Sequence, residues 1–211
     1  AFNGVLQPLA KQRRTQPADD LVSVWANADI DGFTYDSIRL YHEVGLFIAG
    51  GAETTRTAIS HGLRTFCDHP DQWNHLAAHP EAIPTAVEEV IRWVSPLNNF
   101  FRNAAADTSL AGADLAEGDR LILLYPAANR DPRVFDDPNR FDTTRSPNPH
   151  LGFGQGTHFC IGANLARYEL AILFEELTKR ITGLSPVTEP DVEPNIFARA
   201  VRSFHLGFTL R

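Results

Sequence analysis

Hydrophobic and polar positions alternate with a helical period through the first third of the chain. Residues 6–14 predict the end of a helix, and a short helix opens at residues 17–20, where proline and two acids suit a helix N-terminus. Thr34 is then expected to cap a long helix that reaches about Asp68. Its middle, residues 44–51, is apolar on every side, which predicts a central helix buried on all faces.

Shorter elements follow, and the pattern changes after about residue 108. Proline positions bound two helices, because the residue before a proline disfavours helix. The expected elements are helices from Pro70 and from about Pro84 to before Pro96, a hairpin pattern over 108–125 with a strand at 121–124, an irregular stretch over 129–156, a helix over 162–180 and a half-buried strand over 204–210. The predicted class is mainly α with small β-sheets.

Composition argues against several classes of protein but does not identify the function. The 211 residues carry a formal net charge of −7, so no nucleic-acid footprint is expected. The longest apolar run, about residues 44–52, is far below the ~20 residues of a membrane span. Two cysteines do not make a disulfide scaffold, and a reducing cytoplasm is the natural setting. A chain that begins with Ala1 and contains no methionine is expected to be a fragment or a processed form.

The most informative motif is the segment 153–162, Phe-Gly-Gln-Gly-Thr-His-Phe-Cys-Ile-Gly, which we call the cysteine loop. Two glycines allow a tight backbone that approaches a flat ligand closely. Cys160 lies just before a helix, whose N-terminus favours the thiolate form. His158 can donate to an anion. A lone cysteine is more often buried and inert, so this residue pattern alone leaves both interpretations open.

Two further motifs lie on predicted helices. Residues 50–55 place adjacent glycines, an acid and two threonines inside an apolar helix, an arrangement that costs stability unless these groups are used. Helix–helix contact at the glycines is the alternative. Glu89 and Arg92 share a helix face at a spacing of three, which by itself indicates only a surface ion pair. Arg102, taken alone, is an ordinary surface arginine.

The cysteine loop resembles the haem-binding loop of the cytochrome P450 family. Phe153, Gly156, His158, Cys160 and Gly162 match that family's pattern without departure. Three more segments match family motifs in the family's order: the oxygen-activation motif at 50–54, Glu-x-x-Arg at 89–92 and Pro-x-Arg-Phe at 138–141. The resemblance runs from about residue 17 to the end and covers only the C-terminal half of the family fold, so residues 1–211 are expected to form one partial domain.

The resemblance implies a role for each motif residue. Cys160 would ligate the iron of haem b, iron protoporphyrin IX, with Thr54 positioning dioxygen and Glu53 relaying protons. Glu89, Arg92 and Arg140 would form a buried charge network beneath the haem. The remaining expected haem contacts are Gly50, Arg102, Phe153, Gly154, Gly156 and His158.

The implied activity is hydroxylation of a C–H bond with dioxygen, and the implied substrate is a small hydrophobic molecule such as a sterol, lipid or terpene. Electrons would come from a ferredoxin- or flavodoxin-type donor and its reductase. The alternatives are a haem-binding fragment or sensor without this activity, and a non-haem protein with Cys160 in its core. The chain alone is expected to expose an apolar face of the long helix and to be a poor enzyme.

Overall fold

A computed structural model describes residues 2–34 and 36–211, which fall into two compact units, residues 1–52 and 53–211. The mainly helical chain with small two-stranded sheets confirms the predicted α+β class. The helices are α1 Phe2–Thr15, α2 Leu21–Asn27, α3 Ser37–Asp68, α4 Pro70–Ala78, α5 Ile83–Val94, α6 Tyr125–Ala128 and α7 Ala163–Arg180. The strands are β1 Asp29–Ile30, β2 Phe33–Thr34, β3 Asn99–Asn103, β4 Thr108–Leu110, β5 Ala113–Leu115, β6 Arg120–Leu124, β7 Ile181–Pro186, β8 Asp191–Val192, β9 Val201–Ser203 and β10 Leu206–Leu210.

The first unit has a small core of its own. Leu6 and Ala10 of α1 are buried with Leu40 and Val44 of α3. The short helix α2 begins at Leu21, directly after the acids that the sequence placed at its start. The carboxylate of Asp20 accepts a hydrogen bond from the Ser23 N–H at 2.7 Å and so satisfies one of the otherwise unpaired amides at the helix N-terminus.

The long helix α3 differs from the expectation in two respects. Thr34 lies in β2, and Asp36 takes the capping role instead, because its carboxylate accepts from the Arg39 N–H at 2.8 Å. The prediction that the apolar middle is buried on every face is also wrong. Leu46 is 66% exposed and Ile48 is 53% exposed, so described residues cover only part of this helix, and the expectation that the chain alone exposes an apolar face of it is confirmed.

The second unit is built around an aromatic cluster. Phe66 of α3 lies edge-to-face against Trp73, Phe141 and Phe174, with ring centroids 5.4–5.5 Å apart. These rings bring α4, the irregular segment and α7 onto the C-terminal part of α3. Gly62 allows α5 to come close as well, since a Cβ there would lie 2.8 Å from Val90 Cγ1.

The strands form pairs rather than one continuous sheet. β3 pairs with β6 in antiparallel register, and β4 pairs with β5 through a turn at Ala111-Gly112, where both residues have positive φ. The predicted C-terminal strand is confirmed as β10, which pairs with β7. Residues 129–155 contain no helix or strand, as the sequence predicted, and this irregular segment leads directly into the cysteine loop.

Candidate functional site

The cysteine loop is a tight backbone structure held by its own hydrogen bonds. Gly154 and Gly156 have φ values of +72° and +77°, which side chains with a Cβ rarely adopt. The carbonyl of Phe153 accepts a hydrogen bond from the Cys160 N–H at 2.9 Å, and the carbonyl of Gly156 accepts from the Phe159 N–H at 2.9 Å. These bonds fix the backbone at Cys160.

Cys160 lies three residues before the first residue of α7, and its thiol is exposed and outside any disulfide. Its carbonyl accepts from the Ala163 N–H at 3.2 Å, and Gly162 occupies the N-cap position without a side chain to bond the free amides. A Cβ at Gly162 would lie 3.9 Å from the Cys160 Sγ. The sulfur therefore lies beside a helix N-terminus, where a negative charge is favoured.

The segment just before the loop is pressed against α5. A Cβ added at Gly152 would lie 2.6 Å from Ile91 Cγ2 and 3.4 Å from the Ile91 carbonyl oxygen, so only glycine fits there. The Leu151 N–H donates to the Asn129 side-chain oxygen at 2.7 Å. Asn129 is itself fully buried. Helix α5 thus sets the position from which the cysteine loop starts.

Glu89 and Arg92 of α5 form a fully buried ion pair, not the surface pair that their spacing alone indicated. Arg92 donates from Nε and Nη2 to the two Glu89 carboxylate oxygens at 2.7 and 2.8 Å. Its Nη1 donates to the carbonyls of Asn129 and Pro138 at 2.8 and 2.9 Å. One guanidinium therefore joins the helix to two distant points of the irregular segment.

The prediction that the Arg140 side chain completes this network is wrong. That side chain is 63% exposed and lies 3.8 Å from Asp142, and only the Arg140 main-chain carbonyl accepts from Arg92. Arg145 occupies the third position, with its Nε 3.2 and 3.3 Å from the Glu89 oxygens and its Nη atoms bonded to three carbonyls of the segment. The sequence offered no motif that distinguished Arg145.

A second ionic cluster, which sequence reasoning missed, connects α5, α7 and the approach to the loop. The Glu88 carboxylate accepts from Arg167 at 2.6 and 3.0 Å and from His150 Nε2 at 2.9 Å. Burial raises the pKa of Glu88, but the bonds from His150 and Arg167 outweigh it and lower that pKa to about 2. The adjacent acids at 88 and 89 were the only sequence signal of a second cluster.

The motif in α3 lies in a regular helix. Glu53 accepts from Arg56 with both carboxylate oxygens at 2.8 Å, and the Thr57 hydroxyl lies 3.4 Å from Glu53. Thr54 is half-buried. A Cβ at Gly50 or Gly51 would meet nothing within 4 Å, so the alternative of helix–helix contact at these glycines is not supported by any described residue.

Arg102 and His158, the expected anion contacts, are both exposed. Arg102 lies on β3 and donates from Nη1 to the carbonyl of Phe101 at 2.8 Å. His158 ends the 3₁₀ turn Gly156–His158, two residues before the cysteine. In the described ranges neither side chain has an acidic partner within salt-bridge distance.

The residues present fit a cofactor that brings most of its own metal ligands. Within residues 2–34 and 36–211, no group of three or more His, Cys, Asp or Glu side chains is placed to hold a metal ion. Cys160 offers one exposed sulfur next to a loop whose glycines leave space, since a Cβ at Gly156 would meet nothing within 4 Å. A metal-bearing macrocycle, which supplies most of the metal ligands itself, would match this donor set.

Comparison with known proteins establishes the family. A family model described as Cytochrome P450 matches residues 81–197, more than half of the chain. The chain therefore belongs to the cytochrome P450 family, as its motifs indicated.

Individual relatives give the same result. The provisionally named cytochrome P450 126 of Mycobacterium tuberculosis is 48% identical over 84% of this chain and 44% of its own length. A steroid C26-monooxygenase of the same species is 39% identical over 99% of the chain and 57% of its length. A Mycobacterium marinum cytochrome P450 in complex with pseudoionone superposes with a TM-score of 0.93 at 40% identity, over 98% of this chain and 50% of that one. The chain spans about half the length of the relatives it matches.

In the described part of the chain, no helix is both long enough and apolar enough to cross a membrane.

The corrected network predicts unequal effects at its two arginines. Arg145→Ala removes charged bonds from the buried Glu89 and should lower the free energy of unfolding by about 2 kcal/mol or more. Arg140→Ala, which leaves its bonded carbonyl in place, should stay within about 0.5 kcal/mol of the parent chain. Denaturant unfolding at equal m-value measures both, and equal losses would contradict the assignment of Arg145.

Proposed function

We propose that this protein is part of a haem-thiolate monooxygenase in which the Cys160 sulfur would bind the iron. The observation that carries the proposal is the geometry of the cysteine loop. Its free, exposed thiol stands at a helix N-terminus, on a backbone that two positive-φ glycines and the Phe153–Cys160 hydrogen bond hold tight. Family membership supports the same assignment, because the cytochrome P450 family implies a haem iron cofactor.

Several residues would hold haem b in this proposal. Cys160 would bind the iron, and Arg102 and His158 would donate to the propionates, for which their exposed cationic or polar side chains are available. Phe153 and the two loop glycines would contact the haem next to the sulfur. The buried Glu89–Arg92 pair and Arg145 would keep the loop in position.

Bound haem supplies the activation of dioxygen and the insertion of one oxygen atom into a C–H bond. The chain supplies orientation and proton transfer. In the proposal, the Thr54 hydroxyl orients dioxygen and its waters, and the Glu53 carboxylate delivers protons to that hydroxyl. Arg56, bonded to Glu53 at 2.8 Å, would have to release that carboxylate for it to do so. This exposed pair is worth little, so its release costs little.

The proposed substrate is a sterol or a hydrophobic molecule of similar size. Relatives named steroid C26-monooxygenase, from Mycobacterium tuberculosis, Rhodococcus jostii and Mycolicibacterium smegmatis, match nearly the whole chain. Phe100 and Phe101 on β3 add exposed apolar surface suited to such a substrate. Electrons would come from a ferredoxin- or flavodoxin-type donor with its reductase, and the cytoplasm is the proposed location.

Cysteine ligation can be tested with the two cysteines of the chain. After reconstitution with haem, reduction and addition of carbon monoxide, the Soret band should show the strong red shift of thiolate ligation. Cys160→Ser should lose this band because oxygen replaces the sulfur. Cys67→Ser is the matched control and should keep it, since that half-buried thiol lies at the end of α3. A red-shifted band in Cys160→Ser would exclude Cys160 as the ligand.

The role of Thr54 separates a monooxygenase from a haem protein without this activity. In a protein that carries the whole family fold, with a steroid substrate and an electron donor pair, Thr54→Ala should still consume reducing equivalents but release them largely as hydrogen peroxide, because protons are no longer delivered in order. Product per electron should fall several-fold, whereas the neighbouring Thr55→Ala should retain it. Unchanged product yield in Thr54→Ala would remove this residue from the mechanism, and absence of any product from a parent protein that carries the whole family fold would favour a sensor.

A further inference from the structure

Glu88 is placed to connect three parts of the second unit. Its carboxylate accepts from Arg167 Nε and Nη2 of α7 at 2.6 and 3.0 Å, a two-point bond that fixes the guanidinium in direction as well as distance. The same carboxylate accepts from His150 Nε2, in the segment before the cysteine loop, at 2.9 Å. One acid on α5 thus holds both ends of the loop region.

The hydrogen bonds of His150 define its tautomer. The Gly152 N–H donates to His150 Nδ1 at 3.1 Å, so Nδ1 is the acceptor. The proton of the neutral ring is therefore on Nε2, which donates it to Glu88. Glu88 orients the ring, and the ring in turn holds the Gly152 amide, next to Phe153.

Arg167 transmits this arrangement to the cysteine. Its guanidinium lies over the Phe153 ring, 4.6 Å from the centroid, a cation–π contact. The carbonyl of Phe153 accepts the Cys160 N–H at 2.9 Å. The Glu88 hydrogen bond is the main factor that raises the pKa of Arg167. Arg167 and Cys160 thus contact the same residue, Phe153, one through its ring and the other through its carbonyl.

The contacts also argue against the simpler role of Arg167 as a surface cation for an electron donor. Its side chain is partly buried, and two of its three nitrogens are committed to Glu88. Its guanidinium faces the Phe153 ring inside the unit. These contacts account for Arg167 without a partner.

We propose that Glu88 is a positioning residue for the thiolate: it fixes the cysteine loop through Arg167 and His150, and it sets the electrostatic potential at Cys160 by neutralising Arg167. The proposal that Glu88 orders the loop depends only on contacts within this chain and needs no bound haem. The electrostatic part rests on the proposed haem-thiolate function, because it acts through an iron bound to the sulfur.

Hydrogen exchange of the haem-free chain tests the first part. Glu88→Gln should increase the exchange rate several-fold at the amides of Gly152, Gly154 and Cys160, which are bonded within this region. Amides in the aromatic core of the unit should not change. Glu176→Gln is the matched control, since it removes an exposed acid paired with Arg180 at the far end of α7. Loop exchange in Glu88→Gln equal to that of the control would overturn the positioning role.

The electrostatic part is tested by the direction in which each variant shifts the reduction potential of the haem-loaded chain. Glu88→Gln leaves the Arg167 charge uncompensated near the sulfur, which stabilises reduced iron and should raise the potential. Arg167→Gln leaves the Glu88 charge uncompensated and should lower it, and the double variant should return close to the parent. A merely structural connection would shift the potential in the same direction whichever partner is removed.

The two measurements keep this inference distinct from the proposed function. A parent chain that binds no haem through Cys160 would contradict the proposed function and with it the electrostatic part, while hydrogen exchange still decides the positioning part. A parent chain with thiolate-bound haem and same-direction shifts in both single variants would overturn the electrostatic part and leave the proposed function intact.

Discussion

A fully buried carboxylate has to be compensated by charge and hydrogen bonds, and Glu89 imposes this requirement on the second unit. Arg92 and Arg145 supply positive charge, while the Asp142 N–H and the Asn148 side chain donate at 2.9 and 3.1 Å. Three of these four donors come from the segment between residues 129 and 155, which has no helix or strand to order it. The segment therefore folds around a charge on α5.

This constraint carries through to the site. The segment is fixed on α5 by Glu89 and Arg92 and by the close contact of Gly152 with Ile91, and its own Asn129 side chain accepts from the Leu151 N–H. Glu88, one position earlier on the same helix, adds the contact to α7. The cysteine loop thus begins from a segment held against one helix and ends at the N-terminus of another. A backbone held at both ends can present one sulfur in a fixed direction without further metal ligands from the protein.

The sequence predicted the elements whose causes are local. Prolines bound α4 and α5, acids precede α2, and the glycine pattern of the cysteine loop corresponds to its positive-φ turns. It failed where the answer depends on distant contacts. Arg140 and Arg145 are both arginines on an irregular segment, and only the fold of that segment decides which side chain reaches Glu89. Burial of the α3 middle failed for a similar reason, because an apolar sequence does not determine which residues will cover it.

The proposed function requires that the Cys160 sulfur binds iron. X-ray absorption at the iron edge measures this most directly, because sulfur scatters differently from nitrogen and oxygen and is resolved as a separate shell. One sulfur is expected at the iron of the haem-loaded chain and of Cys67→Ser, and none in Cys160→Ser. An iron shell of nitrogen and oxygen alone in the parent chain, or a sulfur that persists in Cys160→Ser, would contradict it.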